Sequence, residues 1–331
     1  FSLHTATLEI TSTDADLGGI PFSLNLLGNS SLPQYDFRPL SGFTMTYKVT
    51  YGSTGTLTHD FLGFSYHTGE PRWGVAATPE RTYFTVPSRN SVKTYNTETR
   101  AFIAEIMVGL NPRGIAATPD DRLVYVANYT SGTVSVINRA TNEEIHSIPV
   151  GTGPTGVAVS PDSRFVYVTN TDDNTVSAIN VATNTVATTI SVGNAPIGVA
   201  VSPDGKFAYV ANSTSGTFSV IDADPGSATF HQTIQPVTVG TEPYGIAFQE
   251  ASEGEQIAYV SNTTSNSVSV IRVSNHQVIA TIPNILQPRG LSSTIDGRFI
   301  YVTSSSANVS PYNHRYIIDT STNSVSFTYT Y

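Results

Sequence analysis

Tyr-Val-Thr-Asn at 167–170 belongs to a unit that recurs down most of the chain, and a repeat of fixed length limits the possible folds more than any single residue does. One unit runs Pro154-Thr-Gly-Val-Ala-Val-Ser-Pro-Asp-Ser-Arg-Phe-Val-Tyr-Val-Thr-Asn170, continues as Asn174-Thr-Val-Ser-Ala-Ile-Asn180, and closes with Asn184-Thr-Val-Ala-Thr-Thr-Ile-Ser-Val-Gly193. Its Pro-x-Gly step returns at Pro112, Pro196, Pro243 and Pro288, and as the variant Pro71-Arg-Trp-Gly74. Successive prolines from Pro112 lie 42, 42, 47 and 45 residues apart.

A period of about 40–45 residues holding four short β-runs is the signature of propeller blades. The first run, as in Gly198-Val-Ala-Val-Ser202, is built of small residues that suit a crowded innermost strand. A Pro203-Asp-Gly205 turn follows, in which Pro pre-sets φ and Gly accepts a positive one. The second and third runs, Phe207–Ala211 and Thr217–Ile221, alternate with the period of two expected of half-buried strands. The fourth, as at Asn184–Ile190, is polar and fits an outer strand. Six units start near residues 71, 112, 154, 196, 243 and 288, the last with its own outer strand at Asn323–Tyr331. Residues 1–70 then supply blade 1, with strands expected at Ala6–Thr11, Pro21–Leu27, Phe43–Val49 and Leu57–Phe64. The expected fold is an all-β, seven-bladed β-propeller of four-stranded antiparallel blades. It forms a single domain over residues 1–331, with blades 2–7 beginning at the six starts.

The run Val-Tyr-Val-Thr-Asn, with its flanking Pro-x-Gly-Val-Ala-Val-Ser-Pro-Asp and Asn-Thr-Val-Ser, resembles the YVTN family of β-propeller repeats over about residues 71–303. That family occurs in archaeal surface-layer proteins and in bacterial YncE-like periplasmic or secreted proteins. The resemblance implies a secreted, periplasmic or cell-surface location and, because one fold serves many functions, no particular activity.

Charged residues make up only 12% of the chain, about half the usual share, with Ser, Thr and Asn in their place. The net charge of −9 gives no general field for phosphate, which argues against nucleic acid as a partner. The absence of cysteine removes disulfides, thiolate metal sites and a Cys nucleophile. No apolar stretch approaches the length of a transmembrane helix. A chain beginning at Phe1 reads as a mature or trimmed product, and nothing in it demands an oligomer, so a monomer is expected. Asn-x-Ser/Thr sequons occur at Asn29, Asn128, Asn212, Asn262 and Asn308, several at one point of the repeat. They serve either as turn residues or as glycan acceptors.

Function is sought where the repeat departs from itself. The x of Pro-x-Gly should form a ring near the propeller axis, and it reads Arg72-Trp73, Arg113, Thr155, Ile197, Tyr244 and Arg289. A position serving only the fold should hold similar residues. This one holds three arginines, a tyrosine and the single tryptophan of the chain. Arg offers a planar fork of donors for carboxylate or phosphate, and Trp and Tyr offer flat faces for sugars or cations. The irregular loops lie in the same sector: Asn29–Ser41, with Tyr35, Asp36 and Arg38, and Ser304–His314, with Tyr312, Asn313 and His314. His67, Glu70 and Arg72 lie close by in sequence. The ligand-binding candidates are therefore Arg72, Trp73, Arg113, Tyr244, Arg289 and Arg38, and the acid–base candidates are His67, His314 and Tyr312.

Other motifs carry less. Asp172-Asp173 and Glu143-Glu144 read as solvated turns, since calcium sites need carboxylates at set spacing. Asp120-Asp121, Asp162, Asp204 and Asp296 belong to the recurring turn. No paired-histidine metal motif, nucleophile elbow, dinucleotide fingerprint or phosphate loop occurs, so neither metal nor cofactor is expected. Three functions remain. The first is a binder of a glycan, an anionic small molecule or a partner protein on the loop face. The second is an extracellular lyase, lactonase or hydrolase acting there on a carboxylate-bearing sugar or lactone. The third is a surface-layer building block.

Overall fold

The computed structural model describes residues 5–10, 22–27, 48–49, 59–60, 74–249, 255–294, 296–304 and 314–330. Two compact units make up the chain, Phe1–Gly69 with Tyr331, and Glu70–Thr330. In the first unit, Thr5–Ile10 pairs antiparallel with Phe22–Leu27, and Lys48–Val49 with His59–Asp60, as two separate two-stranded sheets. These pairings match the first-with-second and third-with-fourth pairs expected of blade 1.

The second unit contains six four-stranded antiparallel sheets, each running from inner to outer strand in chain order. The inner strands are Val75–Ala77, Pro112–Ala117, Pro154–Val159, Pro196–Val201, Pro243–Phe248 and Pro288–Ser293. Consecutive inner strands lie beside one another. The chain is a β-propeller of four-stranded blades; Pro112, Pro154, Pro196, Pro243 and Pro288 each open an inner strand, and Pro71 lies outside the described residues.

In the blade of residues 154–191 the strands are Pro154–Val159, Phe165–Asn170, Thr175–Asn180 and Thr185–Ser191. Sequence alternation predicts that the second and third strands are buried on one face only. The structure corrects this: Phe165–Asn170 is buried at every position, and Thr175–Asn180 at its four central ones. Both faces are covered because blades pack face to face. Tyr167, Val176 and Ala178 pack against Ala208 and Val210 of the next blade. Val166, Val168 and Ile179 pack against Tyr125, Val134 and Val136 of the previous one. Each large side chain so buried stabilises the stack by about 1.5–3 kcal/mol. The outer strand Thr185–Ser191 stays largely exposed.

Each letter of the recurring motif has a structural task. The tyrosines Tyr83, Tyr125, Tyr167, Tyr209 and Tyr259 are wholly buried. The asparagines Asn128, Asn170, Asn212 and Asn262 are also wholly buried. Asn170 Nδ2 donates to Thr175 Oγ1 at 3.0 Å and Ser177 Oγ at 2.9 Å, tying the second strand to the third. Asn128, Asn212 and Asn262 make the same two bonds. These residues end a strand inside the protein, so the sequons at Asn128, Asn212 and Asn262 are not surface acceptors. Asn29 and Asn308 lie outside the described residues. The turn carboxylates are structural, as expected: Asp162, Asp204 and Asp296 each accept a hydroxyl bond at 2.6 Å and a backbone N–H. Glu143 and Glu144 open an exposed outer strand instead of forming a turn.

Candidate functional site

The site is built on the Pro-x-Gly step, whose backbone and side chains do separate work. At Gly74, Gly114, Gly156, Gly198 and Gly245 an added β-carbon would collide with the carbonyl oxygen of the next blade's x residue, namely Arg113, Thr155, Ile197, Tyr244 and Arg289. Only glycine lets the inner strands approach this closely. In three seams a hydroxyl from the second strand locks the contact. Thr169 Oγ1 accepts from Gly156 N at 2.7 Å and donates to the Ile197 carbonyl at 2.8 Å. Thr85 does the same between Gly74 and Arg113, and Ser261 between Gly245 and Arg289. The x backbone is therefore fixed by the fold, while its side chain is free to differ from blade to blade.

Those side chains converge. The Arg113 guanidinium carbon lies 3.4 Å over the Tyr129 ring. The Tyr129 hydroxyl donates to Asp172 of the next blade, at 3.0 Å to Oδ2 and 3.2 Å to Oδ1. The Arg289 guanidinium lies 4.8 Å from the Tyr244 ring centroid. Burial raises the Tyr244 hydroxyl above its ordinary pKa, while Arg289 and Arg113 both act to lower it. Burial pulls the Arg113 guanidinium down from its ordinary value, opposed by Tyr129, Tyr244 and Asp172. Tyr244 thus stands within the field of two guanidinium groups carried by blades that are not neighbours. Beside Arg289 opens a cavity of about 230 Å³, lined also by Glu242, Thr263, Thr264, Asn266 and Gln287. The Arg289 Nε is buried without a hydrogen-bond partner among the described residues. Such an arrangement can grip an anion through directed N–H donors on pre-positioned planes.

Of the residues singled out from sequence, Arg289 lies against the Tyr244 ring, and Arg113 acts on the Tyr244 hydroxyl through its charge. Arg38, His67, Arg72, Trp73 and Tyr312 lie outside the described residues. His314 opens the strand His314–Asp319, and its side chain also lies outside them. Sequence reading missed Tyr129, while Asp172 lies in the exposed turn expected of it and there accepts the Tyr129 hydroxyl bond. A signal was present: the residue after the motif Asn is Thr171, Ser213 and Thr263 in other blades, and the bulky Tyr129 departs from that pattern. Thr171 and Thr263 donate to the next blade's proline carbonyl, whereas Tyr129 reaches a carboxylate. Among the described residues no group of three or more His, Asp or Glu side chains is placed to hold a metal, and no helix is long and apolar enough to cross a membrane.

A family model described as "Lactonase, 7-bladed beta-propeller" matches residues 146–248. Among solved structures, the chain is similar to Kuenenia stuttgartiensis hydrazine synthase, with 21% identity, a TM-score of 0.65, and coverage of 78% of this chain and 80% of that one. It is also similar to a functionally unknown protein from Desulfotomaculum acetoxidans DSM 771, with 18% identity, a TM-score of 0.65, and coverage of 85% and 91%. These likenesses show the propeller fold. No match is found among curated proteins.

Proposed function

We propose that the protein binds an anionic small molecule at the ends of its inner strands, held by Arg113 and Arg289 with Tyr244 beside them. One observation carries this reading: two arginines from separated blades act on a single half-buried phenol, each lying against a tyrosine ring. Stacking spares part of the entropy cost of ordering a long side chain, and partial burial strengthens a charge-assisted hydrogen bond. An envelope or extracellular setting belongs to the same proposal, supported by the low charge content and the repeat's resemblance to surface and periplasmic propellers. Isothermal titration with succinate, glucuronate and inorganic phosphate tests it. At least one of the three should bind, and Arg113→Gln and Arg289→Gln should each weaken it about tenfold or more, or about 1.4 kcal/mol, with circular dichroism unchanged. Failure of all three anions to bind, or indifference to both substitutions, would overturn the assignment.

A second reading, an enzyme that opens a carboxylate-bearing sugar or lactone at this face, is favoured by the lactonase-type match over residues 146–248. The groups described beside the arginines are phenols and the carboxylates of Asp172 and Glu242. Turnover of a lactone panel that is lost in Arg113→Gln would support this reading, and binding without turnover would leave the protein a binder.

A further inference from the structure

The repeat also breaks at its periphery. The turn between third and fourth strands ends in a residue with positive φ, which is Asn142 at 56°, Asn184 at 51°, His231 at 63°, His276 at 59° and Asn323 at 49°. Small polar residues tolerate that conformation, and asparagine does so best. From there Asn184 and Asn323 reach the buried motif tyrosine of the preceding blade, whereas Asn142 Oδ1 accepts from Arg81 Nη1 at 2.6 Å. Tyr125 Oη donates to Asn184 Oδ1 at 2.8 Å, and Tyr259 Oη to Asn323 Oδ1 at 2.8 Å. At two of these positions a histidine stands where three others have asparagine, and the blade of residues 74–107 has Arg100 there at 59°.

We propose that His276 makes the seam between the blades of residues 196–238 and 243–282 an acid-released latch. Its Nδ1 lies 2.7 Å from Tyr209 Oη, and the ring is 9% exposed. The Phe207 ring meets it edge-on with centroids 4.7 Å apart. While the imidazole is neutral, Nδ1 accepts the tyrosine proton, as Oδ1 of Asn184 does from Tyr125 and Oδ1 of Asn323 from Tyr259. Once protonated, Nδ1 becomes a donor. The Tyr209 hydroxyl must then turn to accept, its own hydrogen loses its acceptor, and a charge is buried among aromatic rings.

The groups facing His276 from the packed strand Phe207–Asn212 are Tyr209 and Phe207, and the carboxylate of Asp204 acts on Tyr209. Among the described residues burial alone moves the imidazole, and it moves it below the ordinary value. The neighbouring seam differs. His231 sits edge-on to Tyr167 with centroids 5.7 Å apart, and Asp222 opposes the effect of burial there. The sign follows from linkage. A histidine depressed in the folded state contributes full stability above its unfolded value of about 6.5, and that contribution falls as pH drops below it toward the folded value. The inner end of this same seam is the contact of Gly198 with the Tyr244 carbonyl, so a loosened latch bears on the backbone that carries a site residue.

Proton NMR of the histidine ring and thermal unfolding from pH 8 to pH 5, on the full chain, decide the matter. His276 should titrate below 6.5. The wild type should lose several degrees more between pH 7 and pH 5 than His276→Asn, which installs the cap that Asn184 gives Tyr125 and Asn323 gives Tyr259. Tyr209→Phe, which keeps the ring and removes the bond, should move the His276 titration upward. Ordinary titration of His276, or an acid loss undiminished in His276→Asn, would overturn the proposal. If His276→Asn is less stable at pH 8, the comparison of slopes still decides, because each variant is measured against itself.

Discussion

The carbonyl oxygen of Ile197 occupies the space that a β-carbon on Gly156 would need, and Thr169 Oγ1 bonds both partners. The same relationship recurs at five seams, so the distance between inner strands is set by a glycine facing a carbonyl. Neither partner is a flexible side-chain tip that can swing away.

Gly156→Ala should therefore cost about 3 kcal/mol, at the upper end of overpacking penalties. Gly226→Ala, in an exposed turn where the nearest atom is the mobile Asp224 carboxylate at 3.3 Å, should be nearly neutral. Urea unfolding of both variants checks this, and equal midpoints would disprove the seam argument.

Alkali should unfold the protein by ionising its motif tyrosines. Burial pushes the hydroxyls of Tyr125 and Tyr259 up to about 12, and those of Tyr167 and Tyr209 higher still. An unfolded tyrosine ionises near 10. Stability from these groups is therefore complete below pH 10 and is lost as pH rises through 10 toward 12 and beyond. Absorbance at the phenolate band should show one group of tyrosines titrating near 10 and a second appearing only with loss of the β-sheet circular dichroism signal. Smooth titration of every tyrosine near 10 in a folded protein would contradict the burial.

In a host that glycosylates Asn-x-Ser/Thr, folded protein should carry no glycan at Asn128, Asn212 or Asn262. Each side chain is wholly buried and donates two hydrogen bonds. Peptide mass spectrometry of the folded fraction reads this directly, and a glycan at any of the three sites in that fraction would be incompatible with the seam geometry.

Most of the blade was legible in the sequence because its signals are local. Pro203-Asp-Gly205 marks a turn by backbone preference alone, and the polar outer strand at Thr185–Ser191 is marked by composition. The motif asparagine was harder to read. In sequence it borders a turn and resembles a turn residue, yet it is buried, with its Nδ2 bonded to Thr and Ser hydroxyls of the next strand. The candidate site was half legible. Arg113, Tyr244 and Arg289 stood out as departures from a repeat, whereas the Tyr129–Asp172 bond joins residues 43 positions apart in different blades.

The sequence by itself determined the number and order of strands in blades 2–7 and the place of every inner-strand glycine, because period, turn chemistry and side-chain size are properties of short segments. Only the tertiary structure decided which x residues meet, that both faces of the middle strands are dry, and that Tyr209 is capped by a histidine where Tyr125 and Tyr259 are capped by asparagine. Those outcomes belong to seams between blades, where burial and hydrogen bonding depend on what the next repeat presents and not on the residues alongside in the chain.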